Sequence, residues 1–223
     1  MPFIQTRTAD IGALFTGTFR ELFEIKFELL LYFGFFIAAG IISDMDARLI
    51  APIAIVTTIG YFAGQYYLYR ALLGKTVGGY DPRFKVFSFT FMAVILFFPI
   101  MFGLNLFYIP GLLLAAKWVM APTYLVAEEI DLLDAMGSSW SASSNNLLPL
   151  SVVFTLLCVV WVFVLVIMIG LADTFGGYRS GFGTSLTGVW LGIHTLPVML
   201  MGLSVTAYKQ LNNSIEDVTA VFE

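Results

Sequence analysis

Three polar side chains that could do chemistry lie within otherwise apolar stretches of the sequence: Lys117, Glu128 and His194. An ammonium group deep in hydrocarbon costs about 2.5–3.5 kcal/mol, so Lys117 should pair with another group, line a cavity, or extend its stem to the membrane surface. Trp118 beside it is expected to anchor at the interface. The sequence therefore leaves two roles open for Lys117: structural pairing, or binding of a lipid head group or solute.

Glu128 follows Lys117 by eleven residues, or three helical turns, so an undistorted helix would place both side chains on one face. Pro122 lies between them and lacks the amide that would bond to the Trp118 carbonyl, so a kink is expected. This spacing predicts a polar stripe through one kinked span. The simpler alternative is that Glu128 only marks the cytoplasmic end of that span.

No catalytic, cofactor or metal site is predicted, and the chain is not expected to be an enzyme. His194 is the only histidine, and its span offers no carboxylate or cysteine at ligand spacing. We expect it to make an interhelical hydrogen bond, with a proton relay as the alternative. Cys158 is the only cysteine, which excludes an intrachain disulfide. The net charge of -4 provides no basic surface for nucleic acid.

The composition identifies the elements that must position these side chains. Of 223 residues, 59% are hydrophobic and only 12% are charged, against roughly half and one quarter in soluble domains. Several runs of about 20 apolar residues match the hydrocarbon thickness of a bilayer. We therefore predict an all-α integral membrane protein with one polytopic domain, residues 1–223. Six spans are expected, at about 27–43, 50–69, 88–107, 111–127, 149–172 and 186–208.

Two amphipathic helices are predicted outside the spans. The first, at about 9–26, has helical apolar spacing and should lie in the interface or continue into the first span. The second, at about 130–144, follows Glu128, and Asp131 can cap its first turn. A looser segment rich in Ser and Asn should precede the fifth span. The predicted apolar face of the second helix consists of Ile130, Leu133, Met136 and Trp140.

Glycine and proline positions predict where helices pack closely or bend. GxxxG patterns in the second and sixth spans favour close helix packing within the chain over a dimer seam. A proline should kink the third span, and a Pro-Gly pair predicts a tight reversal into the fourth. The residues assigned to packing or bending are Gly60, Gly64, Pro99, Pro110, Gly111, Pro122, Gly188, Gly192 and His194.

The distribution of basic residues predicts the orientation. If the N-terminus is inside, eight Lys and Arg residues fall on the inner side and two, Arg48 and Arg179, on the outer side. Because basic residues concentrate in cytoplasmic loops, both termini and the 128–148 segment are expected to be cytoplasmic.

One stretch of the chain resembles a known family. At Ile109-Pro110-Gly111, Lys117-Trp118, Pro122, Glu128 and Ala135 to Trp140, it resembles the YciC-type family of uncharacterised bacterial inner-membrane proteins. It is also similar to the membrane domain fused to some glycerophosphodiester phosphodiesterases, whose catalytic barrel this sequence lacks. The family usually has arginines before the final tryptophan, where this chain has Met136 to Ser139. The resemblance implies a bacterial inner-membrane location and a role in envelope or lipid homeostasis.

These features together predict a non-catalytic membrane protein. It would bind lipid, or a membrane-protein partner, through the fourth span and the helix after it. The alternative is a small-solute or lipid transporter or channel, suggested by prolines near Lys117 and His194. The candidate binding residues are Lys117, Trp118, Glu128 and Trp140.

Overall fold

The computed structural model describes residues 9–74, 82–106, 108–176 and 186–219, and all regular structure within them is helical. A short 3₁₀ turn, Ala47–Leu49, joins the second and third helices. The α-helices are α1 (Ile11–Glu24), α2 (Lys26–Met45), α3 (Ile50–Leu72), α4 (Pro82–Leu106), α5 (Tyr108–Trp118), α6 (Ala121–Ala127), α7 (Leu132–Ser143), α8 (Leu147–Gly176) and α9 (Leu186–Thr219).

The chain is an all-α membrane protein. Within the described residues, five helical segments are long and apolar enough to cross a bilayer: Lys26–Met45, Val86–Leu106, Tyr108–Ala127, Leu147–Met168 and Leu191–Asn212. The predicted second span forms α3, whose 23 residues also suffice in length. Its two threonines, one glutamine and four tyrosines make it less apolar than the other five segments. A sixth crossing therefore stays a prediction.

The N-terminal amphipathic helix is separate from the first span. The backbone leaves helical geometry at Ile25 (φ -104°, ψ 33°), so α1 and α2 are two helices. Asp10 caps α1 by accepting a 2.7 Å hydrogen bond from the Ala13 amide. α1 packs across α9, where a side chain added at Gly17 would overlap Thr206. The helix is therefore held against the bundle on one face.

In both GxxxG patterns, glycines pack against side chains of neighbouring helices in this chain. Gly60 and Gly64 of α3 face the rings of Phe35 and Tyr32 of α2, which occupy the space a Cβ would need. In α9, Gly188 is buried and Gly192 faces Leu165 of α8. The Gly192 carbonyl also accepts a 2.7 Å hydrogen bond from the Trp161 indole. These contacts are intramolecular packing.

The predicted reversal at Pro110-Gly111 is wrong in its position. Tyr108 to Gly111 is the first turn of α5, so Pro110 and Gly111 lie within a helix and do not form the reversal. Phe107, between α4 and α5, lies outside the described residues. Gly111 lies directly against α4, because a Cβ there would fall on backbone atoms of Gly103 and Leu104. The glycine therefore allows α4 and α5 to approach closely. α4 itself continues as a helix through Pro99.

The fourth predicted span is broken, as the sequence indicated. α5 ends at Trp118 and α6 begins at Ala121, with Pro122 in the first turn of α6. A proline is well tolerated there because amides of the first turn have no intrahelical acceptor. The break also removes amide donors from the last carbonyls of α5, including that of Lys117.

The predicted apolar face of α7 is divided between the core and the surface. Ile130 and Met136 pack against the core, whereas Leu133 is 76% exposed and Trp140 44% exposed. Small residues at four-residue spacing face the bundle instead: Ala135, Ser139 and Ser143 are fully buried. Small side chains allow α7 to lie close to α5 and α6.

Two further boundaries differ from expectation. The serine-rich stretch was expected to be loose, but α7 continues through it as far as Ser143. Asp131 occupies the capping position of α7 but its side chain makes no capping hydrogen bond. Helix α8 continues to Gly176, past the end expected for the fifth span at about 172, and residues 177–185 lie outside the described chain.

Candidate functional site

The break between α5 and α6 creates the first element of the site, a backbone acceptor at Lys117. In a continuous helix this carbonyl would bond to the amide four residues later. Here it accepts from the Ser139 hydroxyl at 2.8 Å, and the Ser143 hydroxyl lies 3.1 Å from it. Both serines belong to the buried face of α7, so these hydrogen bonds fasten α7 to the end of α5.

The Lys117 side chain makes the second connection to α7. Its ammonium donates to the Ser144 hydroxyl at 2.6 Å and lies 3.4 Å from the Trp140 carbonyl. The Ser144 hydroxyl in turn donates to that same carbonyl at 2.7 Å. The ammonium also lies in the last turn of α5, where the helix dipole favours a positive charge.

One indole faces the ammonium, and a second indole packs against the first. Lys117 Nζ lies 4.8 Å from the centroid of the Trp140 ring, within the range of a cation–π contact. The Trp118 and Trp140 rings are 5.7 Å apart and inclined at 51°. We call Lys117, Trp118, Ser139, Trp140, Ser143 and Ser144 the Lys117–Trp140 cluster. The structure thus brings together three of the four predicted binding residues.

The cluster lies beside the start of a membrane segment. Ser144, which accepts from Lys117, precedes the apolar segment Leu147–Met168 by three residues. Leu133, before the cluster residues of α7, and Leu148, after them, are more than 70% exposed. Lys117 itself belongs to the apolar segment Tyr108–Ala127, but its ammonium reaches residues just before the next apolar segment. Exposed leucines and tryptophans are typical of the head-group layer.

The cluster retains the capacity to bind an anion. An ammonium has three donors, and two are directed at Ser144 and Trp140. In the part of the chain that the structure describes, no carboxylate lies within ion-pair distance of Lys117. The side chain is half-buried, so its remaining donor is accessible from outside the protein. A phosphate oxygen is the kind of group that this donor would bind.

Glu128, the fourth predicted residue, lies elsewhere and belongs to a different polar group. Its carboxylate accepts from the Tyr208 hydroxyl of α9 at 3.3 Å. Next to it, the Tyr124 hydroxyl donates to the Asn212 side chain at 3.0 Å. Lys117 and Glu128 therefore contact different helices, α7 and α9, and the structure does not join them into one stripe.

His194 is buried among aromatic rings. The Phe36 ring centroid lies 3.7 Å from that of the imidazole, and the Tyr61 centroid lies 5.1 Å away. This packing joins α9 to α2 and α3. Across the described residues, no group of three or more His, Cys, Asp or Glu side chains could hold a metal ion.

Several chain segments meet at one end of the bundle. Lys209 of α9 forms a 2.6 Å ion pair with Glu21 of α1, and its ammonium lies 3.4 Å from the Leu72 carbonyl of α3. The Ala9 amide donates to the Asn146 side chain, just before α8, at 2.7 Å. The segments that the count of basic residues assigns to the inner side of the membrane therefore lie close together in the structure.

The sequence reasoning missed the three serines of the cluster. Ser139 and Ser143 share a four-residue spacing with Ala135, which is a detectable pattern of small residues on one helix face. That pattern was obscured because the larger residues at 130, 133, 136 and 140 also fall at helical spacing. Ser144 carries no such signal, since only the fold shows that Lys117 lies beside it.

Comparisons with protein-family models, with curated proteins and with solved structures found no match for this chain. The resemblance to the YciC-type family therefore stays a prediction.

Proposed function

We propose that this chain is a non-catalytic, multi-pass protein of a bacterial inner membrane that binds an anionic lipid head group at the Lys117–Trp140 cluster. One observation carries the proposal. The Lys117 ammonium is held by Trp140 and Ser144, just before the apolar segment Leu147–Met168, while one donor stays accessible. Such a lysine has its position fixed by the protein but its charge uncompensated among the described side chains.

The surroundings favour a lipid as the source of the anion. Trp140 and Leu133 are exposed on the outer face of α7, as expected for a helix that lies in the head-group layer. α7 contains an aspartate in its first turn but no lysine or arginine. A lipid phosphate near this helix would therefore be attracted by Lys117 and not by α7 itself. A membrane protein presenting an acidic side chain at the same depth is the alternative ligand.

The proposed orientation rests on the positive-inside rule. The end of the bundle where Glu21, Leu72 and Lys209 meet contains the segments with most basic residues. If this end is cytoplasmic, both termini and α7 face the cytoplasm. The cluster would then contact the inner leaflet, where anionic lipids attract basic residues by about 1 kcal/mol each. A role in envelope or lipid homeostasis would follow from such binding.

Lipid selectivity of the purified protein tests the proposal. The protein would be reconstituted in nanodiscs containing equal phosphatidylglycerol and phosphatidylcholine, and the lipids retained after release would be measured by native mass spectrometry. Loss of one lysine charge at about 1 kcal/mol corresponds to about a fivefold loss of selectivity. We therefore expect Lys117→Gln to lower the phosphatidylglycerol preference about fivefold, and Lys117→Arg to keep most of it.

Lys26→Gln is the matched control. Lys26 is an exposed lysine 5.4 Å from the ring centroid of Phe27, but among the described side chains no indole or serine hydroxyl accompanies it. Its substitution should leave the preference unchanged within twofold. Equal lipid selectivity of the wild type and Lys117→Gln, at equal thermal stability, would refute the proposal.

Transport is the second candidate, and the broken span formed by α5 and α6 favours it. Discontinuous helices often form substrate sites in transporters. Solute or lipid flux into proteoliposomes that is lost in Lys117→Gln and kept in Lys26→Gln would support transport over binding alone.

A further inference from the structure

A second site lies between α2 and α3, in a groove of about 320 Å³. Gly60 and Gly64 form part of one wall, and Phe35 and Tyr32 lie opposite. The groove is lined mainly by apolar atoms and aromatic rings, and the one charged residue that lines it is Glu28. It is therefore an apolar groove with a single carboxylate.

The carboxylate stands at one end of this groove. Phe35 lies against Gly60 and Tyr32 against Gly64, so α2 and α3 run antiparallel. Glu28, one turn before Tyr32, must then lie near the Leu68 end of α3. The distance from Gly60 to Leu68 along α3 is about 12 Å at 1.5 Å per residue. The groove therefore extends about 12 Å away from its acidic end.

The position of the groove decides what can fill it. Glu28 is in the first turn of α2, whose segment Lys26–Met45 is apolar enough to cross a bilayer. Leu31, on the rim of the groove, is 73% exposed, and Tyr67 is 42% exposed. If α2 crosses a bilayer, this surface faces lipid. An acyl chain would then fill the groove, and Glu28, in the first turn of α2, would lie near the head groups.

The negative charge of Glu28 determines which kind of lipid head group can bind beside it. Glu28 is exposed, and the described part of the chain shows it no ion pair or hydrogen bond. A carboxylate at the edge of hydrocarbon is stabilised by a cation that can also donate hydrogen bonds. A primary ammonium has three N–H donors, whereas a quaternary ammonium has none and is bound by open aromatic faces. Here Tyr32 and Phe35 are packed against glycines instead.

We propose that the α2–α3 groove binds one aminophospholipid, with an acyl chain lying along the groove beside the packed Phe35 ring and the primary ammonium of the head group on Glu28. This site is independent of the Lys117–Trp140 cluster, because it selects a cationic group and lies on other helices. The two sites together would make the chain contact two chemically different lipids.

Competition between two zwitterionic lipids tests this site. Nanodiscs would contain equal phosphatidylethanolamine and phosphatidylcholine with matched acyl chains, and retained lipid would be measured by native mass spectrometry. An exposed ion pair corresponds to a preference of up to about fivefold. We expect a three- to fivefold preference for phosphatidylethanolamine in the wild type, and none in Glu28→Gln.

Glu24→Gln is the matched control. Glu24 is an exposed carboxylate four residues before Glu28, at the end of α1, and its partner is Arg20 at 3.9 Å. It should keep the full preference. Leu31→Trp would crowd the groove and should lower retention of both lipids without changing the phosphatidylglycerol selectivity that depends on Lys117. Equal retention of the two lipids by the wild type, or a preference that survives Glu28→Gln, would overturn the proposal.

Discussion

The hydrogen bonds from Ser139 and Ser143 to the Lys117 carbonyl should determine whether α7 stays docked. Replacing both serines by alanine leaves the shape of the interface nearly intact, because both positions are fully buried and alanine fits wherever serine does. The carbonyl would then lose its donors from α7. We therefore expect the double variant to release α7 from α5 while the rest of the bundle stays folded.

The two serines should contribute unequally. Ser139 donates to the Lys117 carbonyl at 2.8 Å, whereas the single hydrogen of Ser143 is shared between this carbonyl and that of Trp140, each at 3.1 Å. Interhelical hydrogen bonds in membrane proteins average about 0.6 kcal/mol and reach about 1.7 kcal/mol. Ser139→Ala should cost about 1 kcal/mol and Ser143→Ala less. A buried acceptor without a donor costs about 1–3 kcal/mol, so the double variant should cost more than the sum.

Two measurements check this prediction. Unfolding in mixed detergent micelles gives the change in the free energy of unfolding, and amide hydrogen exchange of residues 132–143 reports release of α7. Ser141→Ala and Ser138→Ala are the controls, because those side chains lie on less buried faces of the same helix. Costs that simply add would show that the two hydroxyls do not share one acceptor. Equal effects of Ser141→Ala and Ser139→Ala would show that the hydroxyls do not hold the helix.

Two more predictions concern packing and charge. Gly111→Ala places a Cβ on the backbone of α4 and should abolish monodisperse protein in size-exclusion chromatography, whereas Gly137→Ala, with nothing within 4 Å, should stabilise α7 by about 0.5–1 kcal/mol. Lys209→Met removes the partner of Glu21, whose side chain is only 14% exposed, and should lower stability by about 1–3 kcal/mol in thermal unfolding. Arg20→Met breaks only an exposed pair and should cost less than about 0.5 kcal/mol; an equal loss in both variants would contradict this reasoning.

Hydropathy and proline chemistry predicted most of the fold because both act locally. The apolar segments at α2, α4, α8 and α9 follow from composition and length alone. Pro122 lacks an amide whatever surrounds it, so the break between α5 and α6 could be located from the sequence. The separate helix α1 was one of two alternatives, since periodicity does not show where an amphipathic helix ends.

The rest depended on which helices are neighbours, and one sequence does not contain that information. Trp140 and Leu133 were grouped with Ile130 and Met136 on one apolar face of α7, because all four are apolar and fall at helical spacing. In a membrane protein, large apolar residues also face lipid, and the small residues Ala135 and Ser139 lie inside. Helical spacing also placed Lys117 and Glu128 on one face, but the break in the helix directs them to different partners.

The position of Ser139 gives a physical reason for the departure from the arginines that the family resemblance implies. Ser139 is fully buried against the Lys117 carbonyl, so an arginine there would have to displace α7 from α5. Gly137 has open space around it, so packing does not explain the lack of an arginine at that position. With no basic residue in α7, the charge available to a ligand is that of Lys117, fixed by Ser144 and Trp140. One fixed ammonium favours a single phosphate over a polyanionic head group, because α7 offers no second cation for a second negative charge.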